Sequence, residues 1–212
     1  MNMKDYTQES RNHFNKQAAV YDRNRSFYYS GTAKESCRDA QQFLSPIPFH
    51  TLLDVGCGTG FLIDQLAKTK DAEYFGLDIS ENMLNVAKAK NIPNALFTQS
   101  SADRLPYKDN FFDVVTCIQS FHHYQNPDKA MQEVFRVLRP GGLYLLSDTG
   151  VGGLGAWIDN HILFKLLKSG DCHTENKKAI EKRMAQNGFT RIESRQLKWF
   201  IYTVIGHAEK EN

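Results

Sequence analysis

The sequence predicts an α/β fold, an open and mostly parallel sheet with helices on both faces. Three observations carry this. Leu52-Leu53-Asp54-Val55 is a short apolar run holding an acid, and Gly56-Cys57-Gly58-Thr59-Gly60 follows it, with an amphipathic segment directly after. That order reads as a buried strand, a tight turn and a helix start. Residues 72–79 read as a second strand ending at Asp78, which lies 18 residues beyond Gly60. Strand and helix patterns then keep alternating, as a parallel sheet requires. Residues 111–119 form a near-continuous apolar run, the pattern of a parallel strand covered on both faces.

Residues 1–45 are polar with aromatics at Phe14, Tyr21, Phe27, Tyr28 and Tyr29, and one or two helices are expected there as a cap or lid segment. Ser45-Pro46-Ile47-Pro48 breaks the chain before the sheet, so the main domain is expected over residues 46–212. Glycines alternate in the turn because it needs positive φ and because side chains would hold a ligand off the backbone. Residues 61–70 then read as a helix, with Leu62 and Leu66 one turn apart. In βαβ nucleotide folds a carboxylate about 20 residues past the glycine turn accepts from ribose hydroxyls, which singles out Asp78. Ser80 is a candidate N-cap with Glu81 in the first turn, and Met83, Val86 and Ala87 follow at helical spacing.

Residues 94–99 read as a third strand and 128–139 as the clearest helix, with Met131, Val134, Phe135 and Leu138 on one stripe. Asp128 and Arg139 complement its dipole, and Pro140-Gly141-Gly142 is expected to stop it before a fifth strand over 143–147. The glycine-rich stretch that begins at Gly150 reads as a joint into an apolar helical insert near 150–170. Residues 174–187 read as a further helix, capped by Thr174 and ended by Gly188.

A chain of 212 residues is long enough for one domain with a real core. With 26 basic against 24 acidic residues, the balance gives no electrostatic footprint for nucleic acid, and none is expected as a partner. Cys37, Cys57, Cys117 and Cys172 are scattered without C-x-x-C pairs, so neither a disulfide frame nor a metal site is expected. Residues 1–10 lack an apolar signal core, and no run reaches the roughly 18 apolar residues of a membrane span. A soluble, cytoplasmic protein is expected.

With these residues in view, the chain resembles the class I S-adenosylmethionine-dependent methyltransferases. Within them it is similar to the type 11 group, which contains the ubiquinone/menaquinone-biosynthesis C-methyltransferases and many small-molecule methyltransferases. The resemblance spans residues 14–207 and rests on an ordered set of motifs. These are the Asp54-to-Gly60 turn, Gly76-Leu77-Asp78-Ile79-Ser80, Ser101-Ala102-Asp103-Arg104-Leu105-Pro106, Phe111-Phe112-Asp113-Val114-Val115, Phe121-His122-His123, and Arg136-Val137-Leu138-Arg139-Pro140-Gly141-Gly142. It implies a Rossmann-like, seven-stranded sheet with an antiparallel last strand, residues 191–196 and 199–206 being the closing pair.

The resemblance also implies S-adenosylmethionine as methyl donor, S-adenosylhomocysteine as product, and in-line transfer to an O, N or C atom of a small-molecule acceptor. A sulfonium methyl needs little activation, so the protein's main contribution is attack geometry, an effect of roughly 7–11 kcal/mol in favourable cases. By resemblance, Gly56, Cys57, Gly58 and Gly60 pack backbone against the methionine and ribose, and Asp54 orders that turn. Asp78 takes the ribose hydroxyls, while Ile79 and Met83 flank the adenine. Asp103 accepts from the adenine amino group beside the Ala102 N–H, the Gln119 carbonyl meets the methionine ammonium, and Tyr21 folds over the cofactor. His122 and His123 follow the fourth strand beside the expected methyl position, and either titrates in the range of a general base.

A nicotinamide-dependent oxidoreductase would also use Asp78, but the glycine spacing is G-x-G-x-G, not G-x-G-x-x-G. A non-catalytic module that binds S-adenosylmethionine stays open, because the acceptor site has no motif. The aromatics of the N-terminal segment, with Trp157, Ile158, Leu163 and Phe164 of the insert, suit an apolar or aromatic acceptor, and equally a homodimer interface or plain core. Monomer and homodimer are both compatible with the sequence.

Overall fold

Side-chain alternation in the central strands decides the architecture. Leu52 and Leu53, both fully buried, point to opposite faces of the sheet, as do Val114 and Val115. Each face therefore needs its own cover. The structure, a computed structural model, describes residues 5–23, 31–153 and 170–210. The helices are α1 (Tyr6–Gln17), α2 (Thr32–Leu44), α3 (Phe61–Ala67), α4 (Glu81–Ala89), α5 (Pro127–Val137) and α6 (Lys177–Gln186). The strands are β1 (Thr51–Val55), β2 (Glu73–Asp78), β3 (Ala95–Gln99), β4 (Phe112–Ile118), β5 (Leu138–Thr149), β6 (Thr190–Lys198) and β7 (Ile201–Ala208).

These strands form one seven-stranded sheet in the order β3-β2-β1-β4-β5-β7-β6. The pairs from β3 to β5 are parallel, and β7 lies antiparallel between β5 and β6. On one face, Cys37, Ala40 and Leu44 of α2 and Leu62, Ile63 and Leu66 of α3 pack on Leu52, Val114, Leu143 and Leu145. On the other, Met131, Val134 and Val137 of α5 and Ile180 and Met184 of α6 pack on Leu53, Val115, Tyr144 and Leu146. The Rossmann-like, doubly covered sheet expected from the sequence is the fold observed.

The element order holds, while several ends move for local reasons. The stripe helix stops at Val137, not Arg139. Leu138 is already extended (φ −69°, ψ 138°) and pairs with Phe112, so β5 starts before the Pro-Gly-Gly stretch. Arg139 leaves the helix end and pairs with Asp113 Oδ1 at 2.6 Å. Thr174 is buried and does not cap α6. Asn176 does, its side chain accepting from the Ala179 N–H at 3.0 Å. Ser80 caps α4 as expected, its Oγ accepting from the Met83 N–H at 3.2 Å. The insert with Trp157, Ile158, Leu163 and Phe164 lies outside the described residues, as do Phe27, Tyr28 and Tyr29. Among the described residues, no helix is long and apolar enough to cross a membrane.

The strand order reverses between β1 and β4. In open α/β sheets the crevice outside the carboxyl ends of the strands at that point is where ligands bind.

Asp39 of α2 ties that helix to the closing strands. It accepts from Arg195 Nε and Nη2 at 2.7 and 2.8 Å and from Thr203 Oγ1 at 2.7 Å. Losing a bidentate, charge-assisted set costs about 1–3 kcal/mol. Asp39→Ala is therefore expected to lower the melting temperature by several degrees. An unchanged melting curve would show that apolar packing alone holds α2.

Candidate functional site

The turn after β1 places left-handed backbone at every second residue. Gly56, Gly58 and Gly60 have φ of +77°, +52° and +72°. At Gly56 a Cβ would lie 2.0 Å from Ser120 Oγ, so the loop after β4 could not close over the turn. At Gly58 a Cβ would meet nothing within 4 Å, because that residue faces open space. The turn is held from below by the Leu77 carbonyl, which accepts from the Gly56 N–H at 2.7 Å and the Cys57 N–H at 3.0 Å. From the side, Asp78 Oδ2 accepts from the Gly58 N–H at 2.9 Å and Oδ1 from the Ser80 N–H at 2.8 Å.

Around this frame lie three adjoining cavities. The first, about 800 Å³, has Asp54, Gly56, Cys57, Gly58, Asp78, Met83 and Gln119 in its wall, with Tyr21 and Phe14 from the N-terminal segment. The second, about 570 Å³, is walled by Asp78, Ile79, Ala102 and Asp103. Both include Gly56, Asp78, Ser120, His123 and Phe14, so they are two arms of one crevice that meet at Asp78. The third, about 590 Å³, joins the first through Phe14, Tyr21, Gln119 and His123, and adds His122, Asp171 and Phe200. The sequence-predicted site residues thus converge on one place, except Gly60, which lies in none of the three walls and serves as the N-cap of α3. Gln119 has φ +50°, and its side chain donates to Ser36 Oγ of α2 at 2.9 Å.

The crevice is electrostatically suited to a cation. Asp54 is 2% exposed, and burial, helped by the Asp78 charge, pushes its carboxyl up to about 7 against a hydrogen bond from Thr116 Oγ1 at 2.8 Å that lowers it. Burial also raises Asp78, against the backbone N–H groups of Ser80, Gly58 and Ile79. A buried carboxylate held up in this way is stabilised as an anion by a cationic partner. Burial raises the thiols of Cys37, Cys57 and Cys117, which are therefore not thiolate nucleophiles at neutral pH.

His122 and His123 stand on a single helical turn (Phe121–His123) after β4. His122 Nδ1 lies 2.6 Å from Asp148 Oδ1, and its backbone N–H donates to Asp148 Oδ2 at 3.1 Å. Burial disfavours its charge, but Asp148, through charge and hydrogen bond, and Asp171 override that and lift it to about 9. His123 is pushed down to about 4 by burial and then by the His122 charge, against Asp171, Gly170 and Asp148. The Phe14 ring meets His123 edge-on at 5.0 Å.

Four residues of this site escaped the sequence reading. Asp148 sits at the carboxyl end of β5 as Asp78 does on β2, and that position was the signal for it. Asp171 has no local signal. It arrives because the Cys172 and His173 N–H groups donate to the His122 carbonyl at 3.1 and 3.3 Å. Asp22 accepts from Thr59 Oγ1 at 2.7 Å and from Lys90 Nζ at 2.8 Å, and Asn15 accepts from Ser80 Oγ at 2.7 Å. These bonds fasten the N-terminal segment to both loops of the crevice.

Residues 53–146 match the family model described as a methyltransferase domain. Over 99 residues the chain is 41% identical to a fatty-acid O-methyltransferase of Mycolicibacterium smegmatis, a match covering 46% of this chain and 36% of that protein. Over 106 residues it is 34% identical to the ubiquinone/menaquinone biosynthesis C-methyltransferase UbiE of Vibrio cholerae, covering 47% of this chain and 41% of that one. The aligned stretch therefore spans well under half of these relatives. In fold, the chain resembles a Haemonchus contortus phosphoethanolamine N-methyltransferase solved with S-adenosylhomocysteine. That match has a TM-score of 0.72 and 21% identity, and covers 92% of this chain and 47% of the other.

The raised carboxyl of Asp54 has a consequence for stability. Between the ordinary value of 3.8 and about 7, the folded state holds a proton that the unfolded state has released. The contribution of Asp54 is thus fully present at low pH and is lost as pH rises through about 7. Asp54→Asn keeps an acceptor for Thr116 and removes the titration. Its melting temperature should fall less across this window than that of the native protein. Parallel curves for the two proteins would mean that Asp54 is ionised throughout.

Proposed function

The chain carries a methyltransferase domain of the type 11 group of class I S-adenosylmethionine-dependent enzymes, and on that premise we propose that it methylates a small-molecule acceptor seated in the third cavity. The observation that carries the reading is Asp78. Its carboxylate stands where the two arms of the crevice meet, fixed by the Gly58 and Ser80 N–H groups, in front of a turn whose Gly58 faces open space. When bound, S-adenosylmethionine supplies an electrophilic methyl group on a sulfonium centre. Its positive charge fits the buried carboxylate of Asp54 and the half-buried carboxylate of Asp78.

In this reading Asp78 accepts from the ribose hydroxyls, and the backbone of Gly56, Cys57 and Gly58 lies along the methionine and ribose. Asp54 steadies the turn through Thr116. Ile79 and Met83 flank the adenine, and Ala102 and Asp103 meet its edge in the second arm. The Gln119 carbonyl faces the methionine ammonium. Phe14 and Tyr21 cover the junction with the third cavity and exclude water from the reacting sulfur. His122 and His123 are the polar groups that meet the acceptor, and the aromatic lining of Phe14, Tyr21 and Phe200 suits an apolar or aromatic body. The similar proteins carry names that point different ways, a fatty-acid O-methyltransferase and a ubiquinone/menaquinone biosynthesis C-methyltransferase among them, so the names do not choose an acceptor. All four cysteines are unpaired, which fits a reducing compartment such as the cytoplasm.

The direct test is release of S-adenosylhomocysteine from S-adenosylmethionine in the presence of a panel of aromatic and long-chain acceptors. No acceptor-dependent release would leave only a binding module. Asp78→Ala is expected to weaken S-adenosylmethionine binding by about 2–3 kcal/mol, roughly 30- to 150-fold in Kd. Calorimetry on a variant that still melts cooperatively reads this, and a change below about threefold would take ribose recognition away from Asp78.

A second expectation concerns the cover. Elements that must open for ligand are drawn from the less stable parts of a fold. The segment with α1 and Tyr21 is fastened to the crevice loops by Asn15 and Asp22. Amide exchange of residues 6–22 should slow when S-adenosylhomocysteine is added. Full protection without ligand, unchanged by it, would make the segment fixed scaffold.

A further inference from the structure

The third cavity ends in a cluster that methyl transfer alone does not explain. His122 Nε2 lies 3.4 Å from Asp171 Oδ1, and His123 Nδ1 lies 3.5 Å from the same oxygen. The three residues can each offer one ligand atom such that all three atoms lie within 4.8 Å of one another. We propose that His122, His123 and Asp171 form a binding site for one divalent transition-metal ion of zinc type, with the remaining coordination position open to the cavity.

Three independent features support this. The first is spacing. Two ligands about 2.1 Å from a tetrahedral ion stand about 3.4 Å apart, against about 3.0 Å for neighbours around an octahedral one. Both measured separations from Asp171 Oδ1 match the tetrahedral edge. The second is the support of His122. Its Nδ1 is already engaged by Asp148, which is 2% exposed, and this leaves Nε2 for the ion. A carboxylate behind a histidine in this way fixes the ring and makes it a better ligand. The third is His123 Nδ1, a buried nitrogen without a hydrogen-bond partner on a side chain 10% exposed. A buried polar atom left in this state is costly unless something else meets it. An ion at the centre of the three atoms would do so.

The donor set of two imidazole nitrogens and one carboxylate oxygen suits zinc, cobalt or iron, and not calcium or magnesium. Because all three residues line the third cavity, the open position takes water or an oxygen donor of a bound molecule. The expectation of no metal came from cysteine spacing, and histidine ligands brought together by chain folding give no such pattern.

The test uses the full chain without a histidine tag, stripped with a chelator and titrated with Co²⁺. The expected result is the intense visible absorption of four-coordinate Co²⁺, saturating at about one ion per chain and bleached by Zn²⁺. His123→Ala should abolish that signal, and Asp148→Asn should weaken Co²⁺ binding about 10- to 100-fold. Should His123→Ala fail to melt cooperatively, Asp171→Asn gives the same reading with less change in volume. Absence of the signal in the native chain overturns the site. So does a signal of undiminished affinity in His123→Ala and Asp171→Asn, which would put the ion elsewhere. Ion binding is read without turnover, so a protein that binds Co²⁺ but releases no S-adenosylhomocysteine supports the site and counts only against methyl transfer.

Discussion

The carboxylate of Asp78 is the contact on which the crevice depends. Parallel strands β1 and β2 end side by side, and the Leu77 carbonyl of β2 takes the first two N–H groups after β1, those of Gly56 and Cys57. Asp78 satisfies one group from each loop, Gly58 and Ser80, with its two oxygens. This fixes the spacing between the glycine turn and the start of α4, and therefore the width of the crevice. The cost is a partly desolvated anion, visible in the raised carboxyl of Asp78 and in its effect on Asp54. A cationic ligand offsets that cost, so the same interaction shapes the empty site and favours its occupant.

The parts of the molecule legible in the sequence were those with a local cause. The glycine turn was readable because positive φ selects glycine, and all three glycines adopt it. Asp78 was readable by its distance from that turn, and α5 by its apolar stripe. Element ends were less so, because tertiary pairing overrides local preference. Leu138 continues the helical stripe by spacing, yet leaves the helix to pair with Phe112. Thr174 has the chemistry of a cap but is buried 8% exposed, and Asn176 takes the role two residues later.

Asp148 and Asp171 show the same limit in the site. Neither stands in a motif with His122. Pairing of β4 with β5 brings the first beside the imidazole, and two backbone hydrogen bonds to the His122 carbonyl bring the second. The polar end of the third cavity is thus assembled from three chain segments far apart in sequence, whereas in the first crevice the glycine turn, Asp78 and Asp103 each follow a strand within a local motif. That difference explains why the cofactor half of the site was readable and the acceptor half was not.

The placement of β7 has a consequence for how the chain is made. It is the last of the described strands to leave the ribosome, yet it pairs along β5 from Gly142 to Thr149 and separates that strand from β6. Until it emerges, β5 presents a bare edge rich in Leu143, Tyr144, Leu145 and Leu146, and β6 has no strand to join. An unpaired apolar edge is a template for association with other chains. During synthesis the nascent protein therefore carries an adhesive rim until β7 covers it, and the time spent in that state raises its need for chaperones.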